Sequence, residues 1–206
     1  YDPEKSMGVP LKILIPSGIN GIAHGVEAFY SQGTSPVNRI LAGEGIKSLS
    51  SALRLLSSGN DSIKARGDGF YGAWLCGVTL CSAGVALHHK AAHVLGNTFG
   101  LEHSLVHSMV LPHSVAYNRK GIGSVIEGIS AALGDKNKDA AQALYEFISA
   151  IGIPTALKSL GMPREGVDLA AKMIAEAPYP NPVPIEFNRI LKMVEDAWEG
   201  RPPEHP

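Results

Sequence analysis

The feature that most constrains the fold of this chain is the periodicity of its apolar residues. They recur every three to four positions along nearly the whole sequence, and no alternating run of useful length for a β-strand is found. Apolar residues at this spacing are typical of amphipathic helices that pack on one another. The sequence therefore predicts an all-α fold, built as a multi-helix bundle.

Start and stop signals divide this pattern into separate helices. Ser17 is a suitable N-cap for a first helix that runs to about residue 30. Ser35 followed by Pro36 opens a second helix, because proline is favoured at the first helical position, and this helix is predicted to end near residue 57.

A long third helix is predicted from Asp61 to Gly96. Its stretch from Ala73 to Leu87 is apolar all round, so we expect a helix buried at the centre of the bundle. Core positions are predicted for both tryptophans, Trp74 and Trp198. Further helices are predicted at 121–133, 137–151, 165–176 and 184–198.

The 206 residues are enough for one large domain or two small ones. Three prolines near the start favour irregular structure, so residues 1–16 are predicted to be a connector. We assign residues 17–198 to one helical domain that holds the functional site. Residues 199–206 are predicted to be a flexible tail.

Composition excludes several classes of partner. The formal net charge of −1 provides no basic field for a nucleic acid, and no run of about 18 apolar residues indicates a membrane span. Cys76 and Cys81 match no metal or redox spacing, so we expect two reduced core thiols. These features together predict a cytoplasmic protein that binds neither nucleic acid nor membrane.

Histidines are concentrated in the segment Leu87–Asn118, which contains six of the eight in the chain. His89 and His93 stand four residues apart, as do His103 and His107, and residues at this spacing share one face of a helix. Glycines between the two pairs allow one helix to end and another to begin. The segment therefore predicts two helix termini that present imidazoles to a common space.

A second polar group lies on the first predicted helix, where Asn20, His24 and Glu27 share one side. If His24, His89 and His103 were buried only as core residues, several hydrogen bonds would be needed to compensate their polar nitrogens. A metal or substrate site shared by the three histidines is therefore favoured. Three imidazoles with an open position suit catalytic zinc or ferrous iron, although these three do not form a local motif. Glu27 could orient an imidazole or simply face solvent. Packing or supporting roles are expected for the other histidines of the segment, His88, His107 and His113.

Four segments of the chain are long and distinctive: SGINGIAHGVEAFY, YGAWLCG, LHHKAAHVLGNTFGLEHSLVHSMVLPHSVAYN and PYPNPVP. They resemble the maleylacetate reductases, a branch of the iron-containing alcohol dehydrogenase group within the dehydroquinate-synthase-like fold. The resemblance runs from Tyr1 to about Trp198. It implies that the chain corresponds to the helical C-terminal domain of a two-domain enzyme. We expect the N-terminal α/β domain, which carries the glycine-rich loop for the cofactor in that family, to be absent from this chain.

The resemblance also implies an activity. Maleylacetate reductases reduce the carbon–carbon double bond of maleylacetate to give 3-oxoadipate during the degradation of aromatic compounds. The hydride comes from NADH or NADPH, so the protein supplies orientation, charge stabilisation and a proton. The partner implied is a small unsaturated keto dicarboxylate, and the resemblance suggests a homodimer.

The resemblance also implies roles for individual residues, at the positions of this chain that match functional positions of the family. Metal-binding members of the wider group use an aspartate where this chain has Asn20, and histidines at the positions of His24, His89 and His103. An amide oxygen is a weaker ligand than a carboxylate, and the asparagine is typical of the maleylacetate reductase branch, so we expect a site without iron or zinc. The resulting catalytic candidates are His24, His89, His93 and His103.

Without a metal, protonated imidazoles or a lysine must provide the positive charge that holds a dicarboxylate. Asn20 and Lys90 are therefore the substrate-binding candidates. His93 matches a histidine near the nicotinamide in the group, which makes it the cofactor-binding candidate and a possible proton relay.

Two other functions stay open on the sequence alone. A short enzyme with the same histidine pocket could carry out redox-free acid/base chemistry, such as isomerisation or hydration of an unsaturated keto acid. A non-catalytic domain could serve as a binding or oligomerisation module. The choice between NADH and NADPH is also open.

Overall fold

Helices account for all the regular secondary structure in the computed structural model, which describes residues 1–176 and 179–204. The α-helices are α1 (Leu11–Ala28), α2 (Pro36–Ser57), α3 (Ile63–Ala83), α4 (Leu87–Phe99), α5 (His103–Ile122), α6 (Val125–Ala132), α7 (Ala140–Ala150), α8 (Gly166–Glu176) and α9 (Phe187–Glu199). Short 3-10 helices lie at Glu4–Ser6 and Leu157–Leu160. The all-α prediction is confirmed.

The first helix begins six residues earlier than the sequence predicted. α1 starts at Leu11, directly after Pro10, and Pro16 lies within its second turn. A proline so close to a helix start removes few hydrogen bonds, which is why the helix tolerates it. Ser17 is not the cap, because it lies inside α1 and its hydroxyl donates to the carbonyl of Ile13 at 2.8 Å. The residues predicted as an irregular connector are therefore partly helical.

The second helix agrees with its prediction, since α2 covers Pro36–Ser57 and the Ser35 hydroxyl accepts from the backbone N–H of Asn38.

The prediction of one long third helix is wrong, because the chain turns between α3 and α4. The bend between these two helices is 103°, and it follows Gly84, whose φ of +75° is a conformation that residues with a Cβ rarely adopt.

α3 is not buried on all sides, contrary to the prediction of a central helix. Trp74 is 48% exposed, and Tyr71 and Val78 lie on the same exposed face. Cys76 is buried, as expected, but Cys81 is exposed. Apolar composition alone does not determine whether a neighbouring helix covers a face. No single helix of the described residues is long and apolar enough to cross a membrane.

The helices form two hydrophobic cores. One is built mainly by α1, α2, α3, α6 and α7, and the other by α4, α5, α8 and α9. α5 contributes to both, with Leu111 and Val115 in the first core and Val106 and Met109 in the second. Trp198 packs against the second core, as predicted. The polar side chains of α1, α4 and α5 come together where these helices meet.

The predicted flexible tail is packed against the domain as far as residue 204. Arg119 of α5 donates to the carbonyl of Glu204 at 2.9 Å, and Lys192 of α9 pairs with the carboxylate of the same residue at 2.9 Å. Residues 205 and 206 of that prediction lie outside the described residues.

Candidate active site

Three helices bring six imidazoles into one continuous cluster. His24 comes from α1, three histidines from the first two turns of α4, and two from the start of α5. Ring centroids lie 4.3 Å apart for His24 and His89, 5.0 Å for His89 and His107, and 4.4 Å for His103 and His107. His93 completes the cluster, with its ring centroid 5.7 Å from that of His103. The structure thus brings together all four histidines that the sequence singled out as catalytic candidates.

The buried carboxylate of Glu27 organises the α4 side of the cluster. It is fully buried and accepts hydrogen bonds from the backbone N–H of Ala86 at 2.9 Å, the N–H of His88 at 2.8 Å and Nδ1 of His89 at 2.6 Å. α4 has no capping side chain of its own, so this carboxylate from α1 satisfies its first N–H groups and lies at the positive end of the helix dipole. Of the two roles left open for Glu27, the structure supports orientation of an imidazole.

The bond to Glu27 determines the chemistry of His89. When Nδ1 donates to the carboxylate in the neutral tautomer, the lone pair of the ring lies at Nε2 on its other side. Nε2 of His89, Nδ1 of His24 and Oδ1 of Asn20 are buried, and none has a hydrogen-bond partner among the described residues. Buried polar atoms are nearly always paired, so these three atoms indicate a place for a bound molecule.

His107 is a site residue that the sequence analysis placed among the packing groups. It is fully buried, its Nδ1 lies 2.9 Å from Nε2 of His88, and its Nε2 has no partner within residues 1–176 and 179–204. The four-residue spacing from His103 was the signal that could have identified it. His113, in contrast, is buried away from the cluster near Asp196 and Lys192, as expected for a packing residue.

Four imidazoles of the cluster, those of His24, His88, His93 and His107, have a lowered pKa. Burial, followed by repulsion from His89 and His103, lowers the pKa of His24 to about 4 and that of His107 to about 2. The pKa of His93 is also lowered, by burial and then by His89 and His103. The lowered pKa values disfavour the protonated forms of His24, His93 and His107. Lys90 is half-buried on α4, and its charge contributes to the lowering at His93.

The metal ligands implied by the resemblance are not assembled as a set. The rings of His24 and His89 are stacked, with 25° between their planes. Across the described residues, one group of three or more metal-ligating side chains brings its donor atoms within 4.8 Å of one another: His93, His103 and His107. The ligand set implied by the resemblance, His24, His89 and His103, does not form such a group in the described residues, and it stays a prediction.

Comparison with known proteins agrees with the helical architecture. Residues 14–198 match the C-terminal domain of the Fe-containing alcohol dehydrogenase family. The chain belongs to this family. Within it, the chain is 42% identical over 200 residues to a maleylacetate reductase of Burkholderia cepacia, a match that covers 97% of the chain and 56% of the relative. A maleylacetate reductase of Sphingobium indicum is 41% identical over 203 residues, covering 98% of the chain and 57% of the relative.

Solved structures of the iron-containing alcohol dehydrogenase family have the same helical domain. Maleylacetate reductase from Rhizobium sp. strain MTP-10005 superposes with a TM-score of 0.93 at 34% identity, over 98% of this chain and 57% of that one. A putative alcohol dehydrogenase from Ralstonia eutropha JMP134 gives a TM-score of 0.96 at 38% identity, over 99% of this chain and 58% of that one. The chain thus spans somewhat more than half the length of these relatives, and it corresponds to their helical C-terminal part.

Proposed function

We propose that this chain is the substrate-site part of an NAD(P)H-dependent reductase that converts maleylacetate to 3-oxoadipate. The observation that carries the proposal is the histidine cluster built by α1, α4 and α5, in which buried imidazole nitrogens have no hydrogen-bond partner among the described residues. Relatives named maleylacetate reductase at 42% and 41% identity support this choice of substrate. A cytoplasmic location and a homodimer stay predictions.

A bound reduced nicotinamide would supply the hydride for the double bond of the substrate, and the task left to this chain is to stabilise negative charge on the conjugated keto oxygen. A hydrogen-bond donor directed at this oxygen lowers the barrier, because it stabilises charge that appears only in the transition state. The half-buried amide of Asn20 can hydrogen-bond the keto or carboxyl oxygen of the substrate. Lys90 remains the candidate for binding a carboxylate, because the pKa values of His24, His93 and His107 are lowered.

The reduction also requires a proton at the carbon next to the keto group. His89 is suited to carry it, since the carboxylate of Glu27, 2.6 Å from Nδ1, stabilises the imidazolium that forms when Nε2 takes up a proton. His93 is exposed at the edge of the cluster, where it can position the nicotinamide or relay a proton from solvent to the buried histidines. In this proposal His24 and His103 line the substrate on either side of His89.

The family to which the chain belongs implies a metal, but the implied ligands do not converge here, so no step is assigned to a metal at His24, His89 and His103. Asn20 adds to this disagreement, because its amide oxygen carries no charge to balance a divalent cation. The acid/base and binding roles above use only side chains of this chain.

The direct test is oxidation of NADH or NADPH by the purified full-length protein with maleylacetate, followed by absorbance at the nicotinamide band. We expect turnover that depends on both the cofactor and the keto acid. The redox-free alternative predicts no cofactor oxidation, but exchange of substrate protons in D₂O without any nicotinamide. A binding or oligomerisation module predicts neither reaction, and either of these results would overturn the proposal.

A further inference from the structure

We propose that Asn118 and Asn181 form an amide pair that positions His89, so that both asparagines act on the reaction through that histidine. Asn118 lies near the end of α5, and Asn181 lies in the proline-rich segment PYPNPVP. The sequence analysis assigned neither residue a role. The inference deepens the proposed function and rests on it, because His89 is the proton carrier of that proposal.

The two amides bond each other in both directions. Nδ2 of Asn118 donates to Oδ1 of Asn181 at 3.0 Å, and Nδ2 of Asn181 donates to Oδ1 of Asn118 at 2.7 Å. Asn181 also donates from Nδ2 to the carbonyl of Val183 at 2.9 Å, and its Oδ1 accepts from the backbone N–H of Leu87 at 3.4 Å. A carboxamide provides two donors and two acceptor sites in one planar group, and Asn181 uses all four. A carboxylate has no donor and could not replace it.

The bond to Leu87 reaches the start of the helix that carries His89. α4 has no capping side chain of its own, and its first N–H groups belong to buried residues. Asn181 accepts from Leu87, and Glu27 accepts from the N–H groups on either side of it. Two residues from distant parts of the chain thus hold three successive N–H groups. Since Glu27 also accepts from Nδ1 of His89 at 2.6 Å, a shift of this helix end changes the geometry of that bond.

Asn181 reaches α4 from a segment that α5 holds in place. It lies between two prolines, whose fixed φ angles and effect on the preceding residue favour an extended backbone. The Tyr117 hydroxyl of α5 donates to the carbonyl of Pro184 at 2.9 Å and accepts from the backbone N–H of Glu186 at 2.9 Å. The segment also lies directly against Gly121 of α5, where a Cβ would be 2.9 Å from a backbone carbonyl oxygen of the segment. The amide is therefore presented to α4 from a stiff support.

Loss of the pair would leave buried polar groups without partners at the start of α4. Leu87 and Asn118 are fully buried, so the N–H group and the amide that Asn181 satisfies could not turn to bulk water. We expect the helix start to shift toward other partners. A displacement of about 1 Å at a reacting group costs up to about 100-fold in rate. Because the proton is delivered only in the transition state, the loss should appear in kcat and not in KM.

Steady-state kinetics of the full-length protein with maleylacetate and NADH or NADPH test the pair. Asn181→Ala and Asn118→Ala should each lower kcat at least about tenfold and leave KM within about threefold. The double variant should lose no more than about twofold beyond either single variant, because the two amides act as one unit. Losses that multiply in the double variant would show that the asparagines act separately, which overturns the pair.

Asn181→Asp separates the amide pair from a simple cap. The aspartate keeps an acceptor for the N–H group of Leu87, so the helix start stays paired, but it cannot donate to Asn118 or Val183. We expect it to lower kcat at least about tenfold as well. Activity equal to that of the unsubstituted protein would refute the requirement for an amide at this position.

NMR spectroscopy of the protein without substrate or cofactor gives a readout that does not depend on activity. The Nδ1–H group of His89 should give a downfield ¹H resonance, because its bond to the Glu27 carboxylate is short. In Asn181→Ala this resonance should shift or broaden. Asn188→Ala, which removes an exposed asparagine of α9, should leave the resonance unchanged and kcat within about twofold.

Gly72→Ala is the control for a general loss of stability. Its Cβ would lie 2.7 Å from the carbonyl oxygen of Gly45, at the contact between α2 and α3 and outside the histidine cluster. We expect it to destabilise the fold and to leave kcat and the His89 resonance unchanged. A purely structural role of Asn181 predicts that Asn181→Ala behaves in the same way, and that result would overturn the inference.

Failure of this proposal and failure of the proposed function are distinguishable. A reductase whose kcat is unchanged in Asn181→Ala refutes the positioning role alone. A protein that oxidises no nicotinamide, but whose His89 resonance changes in Asn181→Ala and not in Asn188→Ala, refutes the reductase and supports the positioning of His89.

Discussion

Glu27 is the residue on which the candidate site most depends, because one carboxylate serves three donors. Replacing it with glutamine leaves a single acceptor oxygen and turns an N–H₂ group toward backbone or ring N–H groups. We expect Glu27→Gln to lower the free energy of unfolding by about 2–4 kcal/mol, measured by urea denaturation. The ¹⁵N shifts of the His89 ring should also lose the signature of a protonated Nδ1.

Glu44→Gln provides the matched control. Glu44 is an exposed glutamate on α2 whose carboxylate lies 3.9 Å from Nζ of Lys47. Surface ion pairs of this kind contribute little, so its substitution should change the free energy of unfolding by less than about 0.5 kcal/mol. Equal effects of the two substitutions would refute the role assigned to Glu27.

His113 should make the fold sensitive to acid. Burial lowers its pKa to about 4; the carboxylate of Asp196 opposes this shift, and the charge of Lys192 adds to it. The unfolded chain takes up this proton below about pH 6.5 and the folded chain only below about pH 4, so stability is lost as the pH falls between these values. From pH 7 to 4.5 the contribution lost is about 2 kcal/mol.

Urea denaturation at pH 7 and at pH 4.5 tests whether the free energy of unfolding falls as the pH is lowered. In His113→Asn the fall in unfolding free energy between the two pH values should be smaller by about 2 kcal/mol than in the unsubstituted protein. An unchanged fall would mean that His113 is not the buried base proposed here.

The sequence indicated which residues lie close together in the candidate site, but it did not indicate their pKa values. The spacing of Asn20 and His24, and that of His89 and His93, was enough to place them on common helix faces. The lowered pKa of His24 could not be predicted, since it arises from burial and from imidazoles on other helices. His107 was missed because a single histidine on an apolar helix resembles a core residue until its neighbours are known.

Helix boundaries were also only partly predictable from the sequence. The presence of the helices followed from the periodicity of apolar residues, but the break between α3 and α4 did not, because the apolar composition continues through it. The N–H groups at the start of α4 are satisfied by Glu27, 59 residues away from Ala86, and by Asn181, 94 residues away from Leu87. Partners so distant along the chain leave no local signal for a helix start.

The close contact between α2 and α3 depends on a glycine, Gly72, because there is no room for a Cβ at this position. A Cβ on Gly72 would lie 2.7 Å from the carbonyl oxygen of Gly45 and 2.8 Å from the backbone nitrogen of Leu49. Since backbone atoms cannot move aside cheaply, Gly72→Ala should lower the free energy of unfolding by about 1–3 kcal/mol in urea denaturation.

Gly77 on the same helix is the control, because a Cβ there meets nothing within 4 Å. Gly77→Ala should stabilise the protein by up to about 1 kcal/mol through helix propensity alone. Destabilisation by both alanines would show that the close contact with α2 is not what requires glycine on α3.

For the whole molecule, the helical class and the correspondence to the C-terminal part of iron-containing alcohol dehydrogenases were predictable from the sequence. Which faces are covered was not, as the 48% exposure of Trp74 shows, because burial depends on how the helices are arranged in space. The same arrangement places the site where α1, α4 and α5 meet. The function of this site is the central claim.

The measurement that tests this claim most directly compares His89→Asn with His113→Asn in the full-length protein. Both replace a buried histidine, but only His89 lies in the cluster. With maleylacetate and NADH or NADPH, kcat/KM should fall by about 100-fold or more for His89→Asn, the loss typical of a proton carrier. For His113→Asn it should stay within about threefold. Equal values for the two variants would contradict the account, because the histidine cluster would then have no special part in the reaction.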